Sequence, residues 1–582
     1  MAQPKIIVVG GGLAGLAATM KVAETGVPVD LFSVVPVRRS HSVCAQGGIN
    51  AAVNTKGEGD STAQHFDDTI YGGDFLANQT PVKNMCDAAP GIIFMLDRMG
   101  VMFNRTPEGL LDFRRFGGTL YHRTAFAGAT TGQQILYALD EQVRFHESEG
   151  RVRKYESWEF LSLILDNQMV CRGITAINLD TMEVRAFRAD AVILATGGPG
   201  LIFGKSTNST ICTGSAVSAA YQQGAYYGNG EFVQVHPTAV PGEDKLRLIS
   251  ESVRGEGGRV WVPKDGKPWY FLEEWYPKYG NLVPRDVATR AIFKVVYELK
   301  LGVDGRPQVY LDVSHIDPDR LQEKLGGVLE IYEKFVGQDP KKVPMRVFPA
   351  VHYSMGGLWI DFNHMSNIPG LFAAGECEYQ YHGANRLGAN SLVSCIYGGM
   401  VSGPSAVKYA KGLAKAADAV EASVYDDAVR RETERNNKLL AADGKTNPHV
   451  LHEELGDGMT ENVTVVRYNA KLKKMDEKIE ELIERYKDIY LPDTGAWSNR
   501  ELVFARELEN MLQLARAITL GAFRRNESRG AHYKPEFPDR DDATWLKTTK
   551  AKFRGPAEEP EFSYEDVDTQ HIKPRPRKYD MK

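Results

Sequence analysis

The sequence IIVVGGGLAGLAA, Ile6–Ala18, joins a short apolar run to three glycines spaced as G-x-G-x-x-G. The pattern predicts a buried strand, a tight turn and a helix that continues to about Thr25. Gly10 permits the turn, Gly12 lets a pyrophosphate approach the backbone, and Gly15 lets the helix pack against the strand. The positive end of the helix would face the phosphate charge. This stretch therefore predicts a Rossmann-like dinucleotide-binding fold of the α/β class.

The next strand, VDLFSVV, helps to identify the nucleotide. It carries Ser33 where an acidic residue would hold a ribose hydroxyl of NAD. This absence weakens an NAD prediction and leaves FAD, whose adenosine end a serine and backbone groups can hold. Two later apolar strands support FAD because each ends in small residues that allow close approach, in RADAVILATGGPG (Arg188–Gly200) and IPGLFAAGE (Ile368–Glu376).

Length and composition limit the remaining possibilities. A chain of 582 residues is too long to fold around a single hydrophobic core, and its length predicts two to four domains. The formal net charge of -5 and the pI of about 6.3 disfavour nucleic-acid binding. Six scattered cysteines without a C-x2-C pair predict no metal site or disulfide framework and fit a reduced compartment. Because no apolar run approaches the roughly 18 residues of a membrane span, we expect a soluble chain that only partners could hold at a membrane.

The composition and periodicity of the sequence change along the chain, and these changes predict its domain organisation. We expect an FAD-binding domain in two parts, 1–238 and 346–404, interrupted by an α+β capping domain at 239–345 that contains a helix over Ala288–Lys300. Alanine and charged residues then predict a helical domain at 405–526, with helical periodicity in Ser405–Leu440 and Leu472–Ile489. The charged, proline-bearing segment 527–582 is expected on the surface or docked on a partner.

Five further stretches carry side chains suited to anion binding and proton transfer. They are FVQVHPTAV with His236, LISESVRGEGG with Ser250, Glu251 and Arg254, LVPRDVATR with Arg285, VHYSMGGLW with His352, and HGANRLGANSL with Arg386. Two arginines and two histidines, if convergent, would form a dianion pocket, because arginine binds a carboxylate bidentately and keeps its charge. Spacing alone does not reveal convergence, so a structural role for each residue stays open.

Ten motifs in a fixed order now identify a family. They are RSHSVCAQGG, HFDDT, RRFGG, ATGGPG, QVHPT, RGEGG, PRD, HYSMGG, GANRLGANSL and ESRGAHY, and they span Arg39 to Tyr533. In number and order they make the chain resemble the flavoprotein subunits of succinate dehydrogenase and fumarate reductase, in particular the menaquinone-linked, Bacillus-like branch. The resemblance covers nearly the whole chain and implies the same succession of FAD, capping, helical and C-terminal segments.

The resemblance implies a covalent FAD. In this family the histidine of the R-S-H-x-V motif carries the flavin through its 8α-methyl group, and His41 matches that histidine. The imidazolyl substituent withdraws electron density and raises the flavin potential, which the oxidation of an unactivated C–C bond requires. Ser215 departs from the aspartate usual after T-G in the family. The cofactor-binding residues expected from the motifs are Gly10, Gly12, Gly15, Ser33, Arg39, Ser40, His41, Gln46, Gly47, Gly48, Thr196, Gly197, Glu376, Asn390, Ser391 and Leu392.

The resemblance also implies the catalytic roles for succinate and fumarate interconversion. Arg285 would pass a proton to or from the substrate while flavin N5 passes the hydride, and Glu251 with Arg254 would relay that proton. Four residues would hold the two carboxylates of the substrate: His236, Ser250, His352 and Arg386. Ser250 departs from the threonine common in the family but keeps the hydroxyl group.

The resemblance further implies partners. Electrons would pass to an iron–sulfur subunit and then, through a membrane-anchor cytochrome b subunit, to quinone, with the chain peripheral on the cytoplasmic face of a bacterial plasma membrane. An L-aspartate oxidase shares similar motifs but lacks the flavin-linking histidine, so His41 disfavours this alternative. An RNA-acting FAD protein would be basic, and a free-standing fumarate reductase would need its own haem or flavin relay, whereas the chain has no C-x-x-C-H.

Overall fold

The computed structural model describes residues 3–240, 242 and 246–579. The outermost positions of the expected first and last domains therefore lie outside the described residues, as do positions 241 and 243–245 of the expected capping domain. In the part of the chain that is described, no helix has both the length and the apolar character needed to cross a membrane.

The strands of the described residues fall into five sheets. In chain order they are β1 (Ile6–Val9), β2 (Val29–Ser33), β3 (Ile49–Asn50), β4 (Phe113–Arg114), β5 (Thr124–Ala125), β6 (Val152–Glu156), β7 (Trp158–Leu165), β8 (Cys171–Asn178), β9 (Val184–Arg188), β10 (Ala191–Leu194), β11 (Tyr227–Gly228), β12 (Val233–Val240), β13 (Arg247–Leu248), β14 (Arg259–Lys264), β15 (Lys267–Trp269), β16 (Val309–Asp312), β17 (Met345–Ser354), β18 (Gly357–Leu358), β19 (Leu371–Ala373), β20 (Lys547–Lys552) and β21 (Glu561–Asp566).

The helices pack around these sheets. In chain order they are α1 (Leu13–Glu24), α2 (Thr62–Gly72), α3 (Gln79–Arg98), α4 (Thr131–Ser148), α5 (Ser215–Gln222), α6 (Ser252–Gly255), α7 (Phe271–Trp275), α8 (Arg285–Phe293), α9 (Pro318–Val336), α10 (Asn390–Lys411), α11 (Ala422–Leu440), α12 (Pro448–Asn462), α13 (Asn469–Tyr486), α14 (Arg500–Arg524) and α15 (Asp542–Trp545).

The nucleotide-binding part is built on a parallel sheet of order β19-β10-β1-β2-β6. All four residues of β1 are buried, as expected for a strand covered on both faces. Ile6 and Val8 pack in the core that contains α1, whereas Ile7 and Val9 pack in the core that contains β7 and β8. Because β1 lies between β2 and β10, its carboxyl end opens into the crevice where doubly wound sheets bind ligands.

A second sheet, of order β13-β12-β17-β16-β14-β15, is antiparallel. It packs against α8 and α9 in its own hydrophobic core. The sheet extends beyond both expected bounds of the capping domain, because β12 starts at Val233 and β17 ends at Ser354. The helix expected over Ala288–Lys300 begins earlier, at Arg285 directly after Pro284, and ends in a π turn over Lys294–Glu298.

The helices from α10 onward have bounds that differ from those expected from the sequence periodicity. The helical periodicity of Ser405–Leu440 belongs to two helices: α10 begins at Asn390 and ends before Gly412, and α11 starts at Ala422. Helix α13 begins at Asn469, three residues before the expected start at Leu472. The longest helix here, α14, was not singled out by the sequence patterns.

The expectation that the C-terminal segment lies on the surface is wrong for its first residues. Glu527 and Arg529 are fully buried, and Arg525 donates to Glu231 Oε1 at 2.7 Å and to Glu527 Oε1 at 2.9 Å. Farther on, β20 and β21 form a hairpin that joins β11 in an antiparallel sheet. Charged residues can be buried here because each guanidinium finds a carboxylate, a pairing that periodicity does not reveal.

We expect Gly15→Ala to destabilise the chain, because the added Cβ would overlap the carbonyl oxygen of Gly10. The free energy of unfolding should fall by about 1–3 kcal/mol, the usual cost of overpacking. Gly91→Ala is the matched control, since Gly91 lies in α3 and, apart from its own turn of helix, no atom of the described residues lies within 4 Å of the added Cβ. This control should be neutral or stabilising by up to about 1 kcal/mol. Urea unfolding followed by circular dichroism measures both, and equal stability of Gly15→Ala and wild type would contradict the packing argument.

Candidate active site

Three charged residues, at the start of α8, in α6 and directly before α6, form a buried chain of ion pairs. Arg285, the first residue of α8, donates from Nε to Glu251 Oε2 at 2.9 Å. Arg254, in α6, donates from Nη2 to Glu251 Oε1 at 2.7 Å. Burial alone would raise the pKa of Glu251, but Arg285 and Arg254 outweigh it and hold that pKa below its ordinary value of 4.5. Glu251 is therefore a carboxylate shared by two guanidinium groups.

Gln234 connects this chain to a third arginine. Its Oε1 accepts from Arg285 Nη1 at 2.9 Å and from Arg386 Nη2 at 3.0 Å, and its Nε2 donates to the Arg386 carbonyl at 2.8 Å. The sequence analysis did not single out Gln234. A signal was present, since Gln234 lies two residues before His236 in the quoted QVHPT motif, and a polar side chain inside an otherwise apolar strand needs a partner.

The two histidines lie together on β12 and β17, with ring centroids 5.1 Å apart. The backbone N–H of Thr238 donates to His236 Nδ1 at 3.2 Å, so the proton of a neutral His236 lies on Nε2. Among the described residues His236 Nε2 has no hydrogen-bond partner, although it is buried. Burial, and then the charge of Arg285, lowers the pKa of both His236 and His352 well below 6.5. At neutral pH both side chains are uncharged donors.

Arg386 and Ser250 complete the cluster. The Arg386 guanidinium lies 4.3 Å from the centroid of the Tyr353 ring, and its Nε has no partner among the described residues. Burial, and then Arg285, lowers the pKa of Arg386 to about 9. Ser250 is buried and its Oγ accepts from Ser252 Oγ at 2.9 Å.

We call Arg254, Arg285, Arg386 and Glu251 the arginine cluster. Three guanidinium groups minus one carboxylate leave two net positive charges, because the neighbouring imidazoles are neutral. All four side chains are almost fully buried, where an uncompensated charge is costly. The cluster therefore has the charge and the donor geometry to bind a small dianion, and an Arg–Glu–Arg chain along which a proton could move.

A cavity lies at the carboxyl end of β1 and is lined in part by Gly10, Gly11 and Gly12. A side chain at Gly10, whose φ is +119°, would overlap the Ala195 carbonyl oxygen, so the turn can be this tight only with glycine. Thr196 Oγ1 is buried and has no partner among the described residues. This glycine-lined crevice with an unused hydroxyl fits a dinucleotide cofactor. The expected cofactor residues that line it are Gly10, Gly12, Ser33, Ser40, His41, Thr196, Gly197 and Glu376.

The other expected cofactor residues do not line this cavity. They are Gly15, which packs α1 against β1, the exposed Arg39, Gln46, Gly47, Gly48, and the first turn of α10 formed by Asn390, Ser391 and Leu392. The Asn390 amide is already engaged, since its Oδ1 lies 2.9 Å from His65 Nε2 and its Nδ2 donates to Thr69 Oγ1 at 2.9 Å. The Gln46 amide donates to the Leu248 carbonyl at 3.3 Å. The Asn390 amide and Gln46 Nε2 are thus engaged within the protein, whereas Gln46 Oε1 is buried without a hydrogen-bond partner among the described residues.

His41 opens a short 3-10 turn, His41–Cys44, at the edge of the cavity. The backbone N–H of Ser209 donates to its Nδ1 at 3.1 Å, and Asn208 Nδ2 lies 3.4 Å from its Nε2. Thr207, which precedes Asn208, forms a hydrogen bond between its Oγ1 and His352 Nδ1 at 2.6 Å. Segment 207–209 therefore contacts His41 at the cavity and His352 beside the arginine cluster, a role that no motif in the sequence marks.

Comparisons with known proteins agree with this geometry. Residues 5–392 match the family model described as FAD binding domain, and residues 452–579 match the model described as Fumarate reductase flavoprotein C-term. A succinate dehydrogenase flavoprotein subunit of Bacillus subtilis (strain 168) is 68% identical over 582 residues, 100% of this chain and 99% of that protein. A fumarate reductase flavoprotein subunit of Escherichia coli (strain K12) is 35% identical over 99% of this chain and 96% of that protein. A solved structure of an E. coli quinol fumarate reductase FrdA mutant superposes with a TM-score of 0.92 at 32% identity, covering 99% of this chain and 98% of that one.

We expect Glu251→Gln to lower the free energy of unfolding by about 3–5 kcal/mol at pH 7, because it leaves two buried guanidinium groups without their carboxylate. The pKa of folded Glu251 lies below 4.5, so the carboxylate contributes fully above that pH and its contribution is lost as the pH falls through the folded-state pKa. The difference in the free energy of unfolding between wild type and variant should therefore shrink below pH 4.5. Urea unfolding at a series of pH values measures this gap.

The control is Glu330→Gln, an exposed partner of Lys334 on α9, which should leave stability unchanged at every pH. A gap that is independent of pH would show that Glu251 is not ionised in the folded chain.

Proposed function

The chain belongs to the family of succinate dehydrogenase and fumarate reductase flavoprotein subunits, and on that premise we propose how its own residues perform the reaction. The chain is an FAD-dependent oxidoreductase that interconverts succinate and fumarate within complex II. An L-aspartate oxidase-like activity is not favoured, because the relatives reported above are succinate dehydrogenase and fumarate reductase flavoproteins.

The observation that carries the proposal is the charge of the arginine cluster. Succinate and fumarate are dianions, and the cluster has two net positive charges in a buried setting, where charge complementarity is strongest. Arg386 would bind one carboxylate through its planar fork. His236, His352 and Ser250 would donate hydrogen bonds without adding charge, since both imidazoles are neutral. This arrangement would hold the substrate and twist one carboxylate out of conjugation, which favours charge at the reacting carbon.

Arg285 is the residue proposed to pass a proton to or from the substrate carbon. An arginine is a poor base, since its pKa exceeds about 12 in water, but it is a reasonable acid toward a carbanion-like centre. Its contact with Glu251, and the contact of Glu251 with Arg254, provide an unbroken path of hydrogen bonds for reprotonation. The low pKa of Glu251 keeps it ionised and able to receive a proton from Arg254.

The cavity residues are proposed to hold FAD, which supplies hydride transfer when bound. The backbone of the Gly10–Gly12 turn would bind the pyrophosphate, and Thr196 would donate its unused hydroxyl. His41 is proposed as the covalent attachment point, supported by its place on the cavity wall and by the polar groups of Asn208 and Ser209 that orient its ring.

The chain is proposed to act with an iron–sulfur subunit and a membrane-anchor cytochrome b subunit, through which electrons reach quinone. Family membership supports this, because the relatives are named as flavoprotein subunits and one belongs to a quinol fumarate reductase. On the same ground we propose a peripheral position on the cytoplasmic face of the bacterial plasma membrane.

We expect Arg285→Lys to lower kcat for fumarate reduction by at least about 10³, in the range for loss of a general acid, and to lower kcat/KM in parallel. Lysine keeps the charge but loses the planar fork that contacts both Glu251 and Gln234. Arg386→Lys is the comparison variant, and it should raise KM as well as reduce the rate. Steady-state kinetics with a low-potential donor and succinate-induced bleaching of the flavin measure both. A near-normal kcat in Arg285→Lys would remove Arg285 from the proton path and leave Glu251 or His236 as candidates.

We expect His41→Ser to keep FAD without a covalent bond. It should retain some fumarate reduction and lose most succinate oxidation, because loss of the imidazolyl substituent lowers the flavin potential. Flavin fluorescence of the denatured chain on a gel reads out the bond, and it should vanish in His41→Ser but persist in His315→Ser, which changes an exposed histidine. Release of free flavin from the denatured wild-type chain would refute the assignment of His41.

A further inference from the structure

The nucleotide cavity lacks an acid at the end of β2. In dinucleotide-binding sheets an Asp or Glu at this position binds the hydroxyls of the adenosine ribose, but the chain has Ser33 there. The cavity nevertheless extends to this point, since Ser33, Val34 and Val35 all line it. A bound nucleotide would bring its ribose hydroxyls to a place where β2 offers no carboxylate.

The neighbouring strands deliver a carboxylate to the same place. β6 runs parallel to β2 and ends with Glu156 paired to Ser33. The chain then reverses at Ser157, whose φ is +61°, and β7 begins with Trp158, which packs edge-on against Phe32 at 6.5 Å. Glu159 follows directly and lines the cavity. The turn after β6 thus places Glu159 at the carboxyl edge of the sheet, beside the end of β2.

Nothing in the described chain uses this carboxylate fully. Glu159 is 5% exposed, and its Oε2 has no hydrogen-bond partner among the described residues. Arg506, the cation that most favours its ionised form, is already paired with Glu432 and bonds Asn436. A buried carboxylate oxygen without a partner is costly in a protein interior, and a ligand hydroxyl would remove that cost.

A second carboxylate faces the same space. Glu507, from α14 of the helical part, also lines the cavity. Burial, and then its proximity to Glu159, raises the pKa of Glu507 well above its ordinary value, and burial raises that of Glu159 to about 7. Two neighbouring carboxyl groups, of which one is protonated, offer both an acceptor and a donor, which suits the two hydroxyls of a ribose.

We propose that Glu159, with Glu507 beside it, hydrogen-bonds the ribose hydroxyls of the adenosine half of FAD. The pair takes the place of the acid that β2 lacks. Because Glu507 belongs to α14, this contact would also tie the helical part of the chain to the cofactor. The proposal concerns cofactor binding alone and leaves the roles of the arginine cluster unchanged.

The test uses the full chain in the His41→Ser background, where bound flavin is free to exchange. Quenching of flavin fluorescence measures the dissociation constants of two ligands: FAD, and a 2′-deoxy analogue whose adenosine ribose lacks the 2′-hydroxyl. Both are measured with Glu159 intact and in Glu159→Gln. With Glu159 intact the chain should bind FAD more tightly than the 2′-deoxy analogue. Glu159→Gln should weaken FAD binding by about 10- to 100-fold, the loss typical of a hydrogen bond to a charged group, and should abolish the preference.

Glu156→Gln is the matched control, since Glu156 lies on the same sheet edge, does not line the cavity and accepts from the Val37 N–H at 2.8 Å. It should keep the preference for FAD. If Glu159→Gln does not fold by circular dichroism, Glu507→Gln is measured in its place, and the same loss of preference is expected. Equal weakening of both flavins, or unchanged FAD binding, in a folded variant would overturn the proposal, because a purely structural carboxylate does not sense a single ribose hydroxyl.

Discussion

The site depends on keeping three guanidinium groups buried around one carboxylate. Glu251 makes this possible, because it offers one oxygen to Arg285 and the other to Arg254. Two glycines of the nucleotide-binding part make room for it. A Cβ at Gly117 would overlap Glu251 Oε1, and one at Gly388 would lie 2.6 Å from Glu251 Oε2. The glycines of RRFGG and RLGAN therefore leave space for the carboxylate of the residue that precedes α6.

The two sites are held in register by the same short segment. Thr207 donates its backbone N–H to the Val351 carbonyl at 3.0 Å and bonds His352, whereas Asn208 and Ser209 contact His41. His41 at the cavity and His352 beside the arginine cluster thus share one supporting segment. Hydride transfer requires reacting atoms to be held within a few tenths of an ångström of the productive geometry. A common support meets this requirement more directly than two independent loops would.

Local signals were sufficient for some of this structure and insufficient for the rest. The strand, turn and helix around Gly10 were predicted because each depends on residues within one short window. Gln234 was missed because its value lies in bridging two arginines that are 101 residues apart in sequence (Arg285 and Arg386). Arg39 was expected at the cofactor from its motif, but it is exposed and does not line the cavity. Motif membership names a neighbourhood, and only the fold decides which side chains face inward.

The C-terminal segment contacts the residue that follows Arg285 in α8. The next residue, Asp286, is buried at the start of α8 and accepts from both terminal nitrogens of Arg577, at 2.6 and 3.0 Å. Burial would raise the pKa of Asp286, but Arg577 and Arg290 lower it to about 2, so the pair stays ionised. The backbone carbonyl of the adjacent Lys578 accepts a hydrogen bond from the hydroxyl of Tyr71, in α2, at 2.8 Å. The start of α8, next to Arg285, is therefore anchored to the nucleotide-binding part through the last described residues.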